Sequence, residues 1–258
     1  MLRVEVQGAR KDVAVWTIDR PRAKNALDRR TLADLLEAAE AARKDTELRA
    51  IVLTGAGDAF VSGADLRELR GQNSADDARS FAAAGSDLCD ALEALPVPVI
   101  AAVPGPAFGG GAELALACDL RLGDPQARFS FKQVRMGVTP AWGTAARLVA
   151  AIGRSSAARL LYTAQEVRAD AALAMGLLDA VSPPGESLLL ALEWADDIAL
   201  GSPTAVAKTK AILAAARPDL RALERESFVA TWTSPDHVDA VDAYFAKRAV
   251  VWRRRADD

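Results

Sequence analysis

Between Val13 and Leu122, short apolar segments alternate with longer segments of helical pattern, and this alternation limits the possible folds more than any other feature of the chain. Strands are predicted at 13–18, 49–54, 99–103 and 119–122, and helices at 31–43, 78–95 and 111–117. Asp28 stands where a side chain could cap the first of these helices. Strands that alternate with helices are typical of parallel β/α units.

Beyond about Gly143 the strand signals stop and helical segments follow one another. They are predicted at 144–152, 156–163, 169–175, 186–200, 203–216, 219–231 and 235–249. The 258 residues are ample for a sizeable core. We therefore predict an α/β core over residues 1–200 and a helical region over residues 201–258.

Composition excludes several classes of function. The formal net charge is −3 and both signs are mixed along the chain, which argues against nucleic-acid binding. The two cysteines, Cys89 and Cys118, lie in apolar contexts and are interpreted as core residues of a reducing compartment, not as a disulfide or zinc site. A single histidine, His237, excludes Ser-His-Asp and Cys-His catalysis and histidine-rich metal sites.

Neither a membrane segment nor a nucleotide-binding loop is predicted. Residues 94–112 are uncharged and long enough to span a bilayer, but four prolines and a triple glycine would break a helix there. The first 16 residues lack the apolar core of a signal peptide, so we expect a cytoplasmic protein. Gly55-Ala-Gly57 lacks the third glycine of a dinucleotide fingerprint, and no phosphate loop occurs.

One carboxylate, Glu113, lies in the unusually apolar stretch FGGGAELALACD at 108–119. A glycine run that opens a helix lets another group approach the backbone closely. A carboxylate in apolar surroundings resists ionisation, which makes Glu113 a candidate acid or base.

Two loops, 61–65 and 108–112, each follow a predicted buried strand. They should lie near the carboxyl ends of parallel strands, where ligands bind in open α/β sheets. Their small residues leave backbone N–H groups accessible, and two such donors aimed at one point would form an oxyanion hole for a developing enolate. Alternatively, the glycines only permit tight turns and close helix–sheet packing.

Four motifs follow one another along the chain. They are RPRAKNAL at 20–27, FVSGADL at 60–66, FGGGAEL at 108–114 with Cys118-Asp119 after it, and GVTPAWG at 137–143. In order and spacing they resemble the crotonase family, also called the enoyl-CoA hydratase/isomerase superfamily. The resemblance implies a crotonase-like (ββα)-spiral α/β core with a C-terminal helical trimerisation region, in a homotrimer or homohexamer.

The resemblance also implies the roles of individual residues. The N–H groups of Ala64 and Gly110 would be the oxyanion-hole donors for the thioester carbonyl of an acyl-CoA, and Glu113 would be the first catalytic glutamate. The residues implied to bind substrate are Arg22, Lys24, Ser62, Asp65, Leu66, Trp142, Phe245 and Lys247. No metal and no cofactor other than the coenzyme A of the substrate are expected.

One position departs from the pattern of the hydratases. They carry a second glutamate four residues before the glycine matched by Gly137, and this chain has Gln133 there. An amide can position water but cannot exchange a catalytic proton at neutral pH. Three hypotheses therefore stay open: a hydratase-type lyase, a decarboxylase of malonyl-type acyl-CoA, and an acyl-CoA-binding protein without turnover.

Overall fold

The computed structural model describes residues 1–215 and 221–250, in which a six-stranded sheet and a three-stranded sheet are surrounded by helices. The strands are β1 (Leu2–Gln7), β2 (Val13–Ile18), β3 (Ala50–Gly55), β4 (Val99–Val103), β5 (Pro106–Phe108), β6 (Leu120–Gly123), β7 (Arg128–Ser130), β8 (Val167–Arg168) and β9 (Ala180–Val181). The helices are α1 (Arg29–Ala42), α2 (Leu66–Leu69), α3 (Ala75–Ala94), α4 (Gly110–Ala117), α5 (Thr144–Thr163), α6 (Ala169–Met175), α7 (Ser187–Ala199), α8 (Pro203–Ala215), α9 (Arg221–Trp232) and α10 (Pro235–Ala246).

The larger sheet has the strand order β1-β2-β3-β4-β6-β9. Every neighbouring pair is parallel except β1 with β2, which is antiparallel at the edge. The parallel arrangement predicted from the alternation is therefore confirmed. The smaller sheet, β5-β7-β8, pairs β5 with β7 in parallel and β7 with β8 antiparallel.

Both faces of the central strands β2, β3 and β4 are buried, and alternate residues of these strands supply the two cores. Val13 and Val15 of β2 belong to the core formed with Ala191 and Ala195 of α7. The alternate residue Trp16 belongs to the larger core that includes α1 and α3. Strands covered on both faces need continuous apolar sequence, which explains why these segments could be predicted.

The sequence-based assignments are largely correct up to Gly143 and partly wrong beyond it. Asp28 caps α1 by accepting a hydrogen bond from Thr31 N, as predicted. The prediction that strands end near Gly143 was wrong, because β8 and β9 follow; β1, β5 and β7 were also missed. β5, β7, β8 and β9 have only two or three residues, too few to show a period of two. This reason does not apply to β1, which has six residues. The helices predicted at 144–152 and 156–163 are continuous in α5 except at Gly153, whose φ of +74° and ψ of 159° are not helical, so the predicted break between them is confirmed.

The C-terminal region is helical, as predicted, in the part that the structure describes. Residue 216 of one predicted helix and residues 219–220 of the next lie outside the described ranges. Helix α9 packs against α3 of the core, and α10 packs against the turn at Lys132–Met136. The division at residue 200 and the role in trimer formation stay predictions.

Two further findings concern the cysteines and the possibility of a membrane-spanning helix. Cys89 and Cys118 are free and buried, as expected for core residues. Among residues 1–215 and 221–250, no helix combines the length and hydropathy needed to cross a membrane.

Asn25, in the first motif, joins two loops from a fully buried position. Its Oδ1 accepts a hydrogen bond from Arg20 N at 3.0 Å, and its Nδ2 donates to Ala56 O at 2.9 Å and Ala59 O at 2.8 Å. Its φ of +57° is one that asparagine tolerates better than most residues. Asn25 therefore anchors the 20–27 loop to the end of β3.

We expect Asn25→Ala to lower the free energy of unfolding by about 1–3 kcal/mol, because buried backbone groups would lose their partners. Asn73→Ala, at an exposed position, is the control and should change stability by less than about 0.5 kcal/mol. Urea denaturation at 25 °C measures both. Equal stability of the two variants would contradict the anchoring role of Asn25.

Candidate active site

The loops 61–65 and 108–112 lie side by side because short strands pair just before them. Val61 bridges Ala107 in parallel, with Phe108 N donating to Val61 O at 2.9 Å. Beyond this bridge the two backbones stay close: a Cβ placed on Gly63 would lie only 3.9 Å from Gly110 N. The structure thus brings together two loops that the sequence separates by more than 40 residues.

The N–H groups of Ala64 and Gly110 are both left without a protein acceptor among the described residues. Leu27 donates to Gly63 O and accepts from Asp65 N, each at 2.8 Å, so in this parallel bridge the N–H of Ala64 is turned away. Gly110 is the first residue of α4, where an N–H has no partner within the helix. The positive end of the helix dipole lies at the same place.

The Glu113 side chain is 4% exposed, and a loop that precedes α5 holds one of its oxygens. Oε1 accepts hydrogen bonds from Thr144 Oγ1 at 2.6 Å, from Ala141 N at 3.2 Å and from Trp142 N at 3.3 Å. None of these bonds uses Oε2, and Glu113 lines the central cavity. One oxygen is therefore fixed by the protein while the other is left for a ligand.

Burial raises the pKa of Glu113 to about 7, since desolvation penalises the charged carboxylate. Hydrogen bonds from Thr144 and from Ala141 N lower this pKa, and the carboxylate of Glu224 raises it. The amide of Gln133 also lowers it, although neither Nε2 nor Oε1 makes a hydrogen bond of normal geometry among the described residues. Glu113 can thus hold or release a proton near neutral pH.

A cavity of about 960 Å³ contains these groups. Every site residue predicted from the sequence lines it: Arg22, Lys24, Ser62, Ala64, Asp65, Leu66, Gly110, Glu113, Gln133, Trp142, Phe245 and Lys247. They come from residues 22–142 and from the C-terminal end of α10 with the residue that caps it. Helix α10 therefore lies over the cavity of its own chain.

The cavity is lined by both cationic and aromatic side chains. The cationic side chains are Arg20, Arg22, Lys24, Arg67, Lys132 and Lys247. Four of the aromatic residues, Phe81, Trp142, Phe228 and Trp232, form a cluster of contacting rings, called here the aromatic wall. Glu113 lies beside the aromatic wall, since its carboxylate accepts a hydrogen bond from Trp142 N.

Three predicted residues have structural partners as well as a place in the cavity. Asp65 caps α2 by accepting from Arg67 N and forms an ion pair with Arg20 at 2.9 Å. Trp142 is only 2% exposed and packs so close to α4 that a Cβ on Gly110 would lie 2.7 Å from its ring. The Ser62 hydroxyl donates to Ala23 O at 3.3 Å.

The cavity-lining residues that sequence reasoning missed include Phe81, Phe228, Trp232 and His237. The α9 pair could have been noticed, because Glu224, Phe228 and Trp232 recur every four residues on one helical face. His237 was considered only as a candidate for catalytic classes that need further histidines. Its Nδ1 lies 2.7 Å from Met136 O and must carry the proton, since a carbonyl only accepts; burial lowers its pKa.

In the described ranges, no group of three or more histidine, cysteine, aspartate and glutamate side chains is placed to hold a metal ion. The cavity instead offers two backbone N–H donors, one carboxylate with a raised pKa, and several cationic side chains. Such a set can bind an anionic ligand and polarise a carbonyl group.

Comparison with known proteins places this arrangement in a family. The family model described as enoyl-CoA hydratase/isomerase matches residues 8–255, nearly the whole sequence. The chain therefore belongs to the enoyl-CoA hydratase/isomerase, or crotonase, family. The resemblance inferred from the four motifs is confirmed.

Individual relatives agree with this membership. The short-chain-enoyl-CoA hydratase of Clostridium acetobutylicum is 40% identical over 243 residues, which cover 92% of this chain and 93% of that protein. The crotonyl-CoA hydratase of Syntrophomonas wolfei is 36% identical over 244 residues, covering 92% of both chains. The crystal structure of an enoyl-CoA hydratase from Mycobacterium avium subsp. paratuberculosis superposes with a TM-score of 0.87 at 30% identity, covering 98% of both chains. The crotonase-like fold is thereby confirmed, and an enzyme of hydratase type is supported.

The raised pKa of Glu113 predicts a pH-dependent stability difference between the protein and its Glu113→Gln variant. The carboxyl group ionises near pH 4.5 when unfolded and near 7 when folded, so ionisation disfavours folding as pH rises through this window. Glutamine has no such cost. Between pH 4.5 and 8 the variant should gain roughly 3 kcal/mol of stability relative to the parent protein.

Urea unfolding of both proteins at several pH values measures this difference. Other effects of the substitution, such as altered hydrogen bonding, change the stability difference by the same amount at every pH. They do not alter its pH dependence. A difference that is independent of pH would show that Glu113 has an ordinary pKa.

Proposed function

We propose that this protein is an enoyl-CoA hydratase, which adds water across the 2,3 double bond of an acyl-CoA thioester. The observation that carries the proposal is the buried Glu113 carboxylate, with one oxygen unbound, in the same cavity as two N–H groups without acceptors. The named activities of the relatives from Clostridium acetobutylicum and Syntrophomonas wolfei favour hydration over the two alternatives kept open by the sequence.

In this proposal the thioester oxygen accepts hydrogen bonds from Ala64 N and Gly110 N. The β-carbon of the conjugated thioester then becomes electrophilic, because electrons can move onto an oxygen that two donors stabilise. The positive end of α4 favours the same charge. The donors are backbone groups of short, buried loops, so they need little reorganisation as the negative charge develops.

Glu113 takes a proton from water through Oε2 while the water oxygen bonds to the β-carbon. The π electrons of the double bond shift to the thioester oxygen and form an enolate. When the enolate collapses, the protonated Glu113 returns a proton to the α-carbon, so one water is consumed and the carboxylate is restored. A pKa of about 7 suits both steps, since the group must accept and then donate at the same pH.

Gln133 would orient the attacking water rather than exchange a proton with it. Its amide atoms are buried and lack hydrogen-bond partners among the described residues, so Oε1 is available to accept from a water hydrogen. Leaving a buried amide without partners is costly. A bound water would relieve that cost.

The cationic and aromatic side chains of the cavity suggest how the substrate lies. The phosphates of coenzyme A would face Arg22, Lys24 and Lys247, and the acyl group would point to the aromatic wall. None of these three cations forms an ion pair with a carboxylate in the described part of the chain, which leaves them available to phosphate.

The proposal extends to assembly and location. We expect a homotrimer or homohexamer in the cytoplasm, with no cofactor beyond the coenzyme A of the substrate. Three exposed apolar residues on and near α8 support a C-terminal interface: Leu200, Ile212 and Leu213 are each about two-thirds exposed.

The first test is the hydration of crotonyl-CoA, measured as the loss of absorbance of its conjugated double bond. Glu113→Gln should lower kcat by roughly 10²–10⁴, the usual contribution of a general acid–base group. Gln133→Glu should raise kcat, since it adds a second proton-exchanging group. Glu37→Gln, at an exposed position, is the control and should leave the rate unchanged.

Full hydratase activity in Glu113→Gln would exclude the proposed mechanism. Release of carbon dioxide from ethylmalonyl-CoA without hydration of crotonyl-CoA would identify a decarboxylase instead. Binding of both thioesters without turnover would favour the non-catalytic alternative.

The orientation of the substrate can be tested with a shorter substrate that lacks the nucleotide of coenzyme A. Lys24→Ala and Lys247→Ala should each raise KM for crotonyl-CoA about five-fold, equivalent to about 1 kcal/mol of charge interaction. Neither should change KM for crotonyl-pantetheine, which lacks the nucleotide and its phosphates. Lys44→Ala, at an exposed position outside the cavity, is the control. A rise in KM with both substrates would place the lysines away from the phosphates.

A further inference from the structure

The loop before α5, which donates hydrogen bonds to Glu113, is poorly stabilised by contacts within its own segment. It leads into α5 through Gly143, which has a φ of +77° and provides no side chain to cap the helix. The first amides of α5 would therefore lack partners. Since Ala141 N, Trp142 N and Thr144 Oγ1 all bind Glu113, any movement of this loop would disturb the carboxylate.

A carboxylate from α9 supplies the missing cap. Glu224 accepts from Thr144 N at 3.0 Å and from Ala145 N at 2.5 Å, reaching residues about 80 positions earlier in the chain. Its side chain is 7% exposed, a rare environment for glutamate. A second contact from α9 supports the same loop, because Thr231 Oγ1 accepts from Thr139 N at 3.2 Å.

Thr144 connects the two carboxylates. Its N–H donates to Glu224 and its hydroxyl donates to Glu113, so the residue that Glu224 holds is the one that makes the shortest hydrogen bond to Glu113. On the basis of the function proposed above, we propose that Glu224 is a positioning residue for Glu113, acting through Thr144.

The other charges near this pair come from two cations and three carboxylates. Arg147 pairs with Asp90 and Glu93, and Arg225 pairs with Asp87 and Asp90. The remaining ionisable groups are the Cys89 thiol and the His237 imidazole. Arg147 pairs with its two carboxylates at 3.2 and 2.8 Å and donates to Trp142 O, which fastens the other side of the loop. Burial raises the pKa of the Cys89 thiol and lowers that of His237, so both are neutral at pH 7.

Glu224 should therefore act on Glu113 in two ways. It holds Thr144 in place for the hydrogen bond, and its negative charge opposes ionisation of Glu113. Burial raises the pKa of Glu224 itself, while three backbone hydrogen bonds and Arg147 favour its charged form. The two effects on Glu113 can be separated, because one depends on the charge of Glu224 and the other on the hydroxyl of Thr144.

The test compares the pH dependence of kcat/KM for crotonyl-CoA in two variants. Glu224→Gln removes the charge but keeps a side-chain oxygen that can accept from Thr144 N. Its acid limb should therefore move to lower pH by about half a unit or more, because the like charge is removed. In Thr144→Val it should move to higher pH, because the hydrogen bond to the ionised Glu113 is lost. Glu226→Gln, exposed on the same helix, is the control and should leave the limb unchanged.

Opposite shifts support the proposal, whereas limbs that stay in place or move in the same direction overturn it. If the two substitutions merely loosened the fold, both variants would have lower rates, but their acid limbs would not shift in opposite directions. If the protein hydrates no enoyl-CoA, the proposed function fails but this inference is still tested. The Glu113 carboxyl carbon can then be titrated by ¹³C NMR in the parent protein and in both variants, with the same opposite shifts expected.

Discussion

The site depends on the desolvation of one carboxylate, Glu113, by burial in the protein. Glu113 is almost completely buried, so desolvation alone would make its charged form costly. Three donors on Oε1 offset part of this cost and leave a group that ionises near neutral pH. A more exposed glutamate would keep an ordinary pKa and would be a poor proton donor at pH 7.

The structure around Glu113 is organised to maintain this balance. Helix α4 carries the carboxylate, the loop before α5 supplies its donors, and α9 supports that loop through Glu224 and Thr231. The same helix provides Phe228 and Trp232 to the aromatic wall. The C-terminal helices are therefore part of the site in this chain, in addition to any role in assembly.

The elements that form the site could be predicted from sequence where the pattern that specifies them is local. Strands buried on both faces show continuous apolar runs, and the helix after Gly109 follows a glycine run, so these elements could be predicted. β8 and β9 could not, because two residues carry no periodicity. Glu224 was missed for a different reason: a glutamate in an amphipathic helix normally faces solvent, and its partners lie about 80 residues away.

The sequence by itself determined the parallel β/α order, the family, and twelve of the residues that line one cavity. It also singled out Glu113, because a carboxylate among apolar residues is unusual in any fold. Only the tertiary structure decided which oxygen of Glu113 is held and which helix caps α5. It also decided that the aromatic wall and the cationic side chains line the same cavity. Those features depend on contacts between segments distant in the chain, whose geometry is set by packing and leaves no local pattern to read.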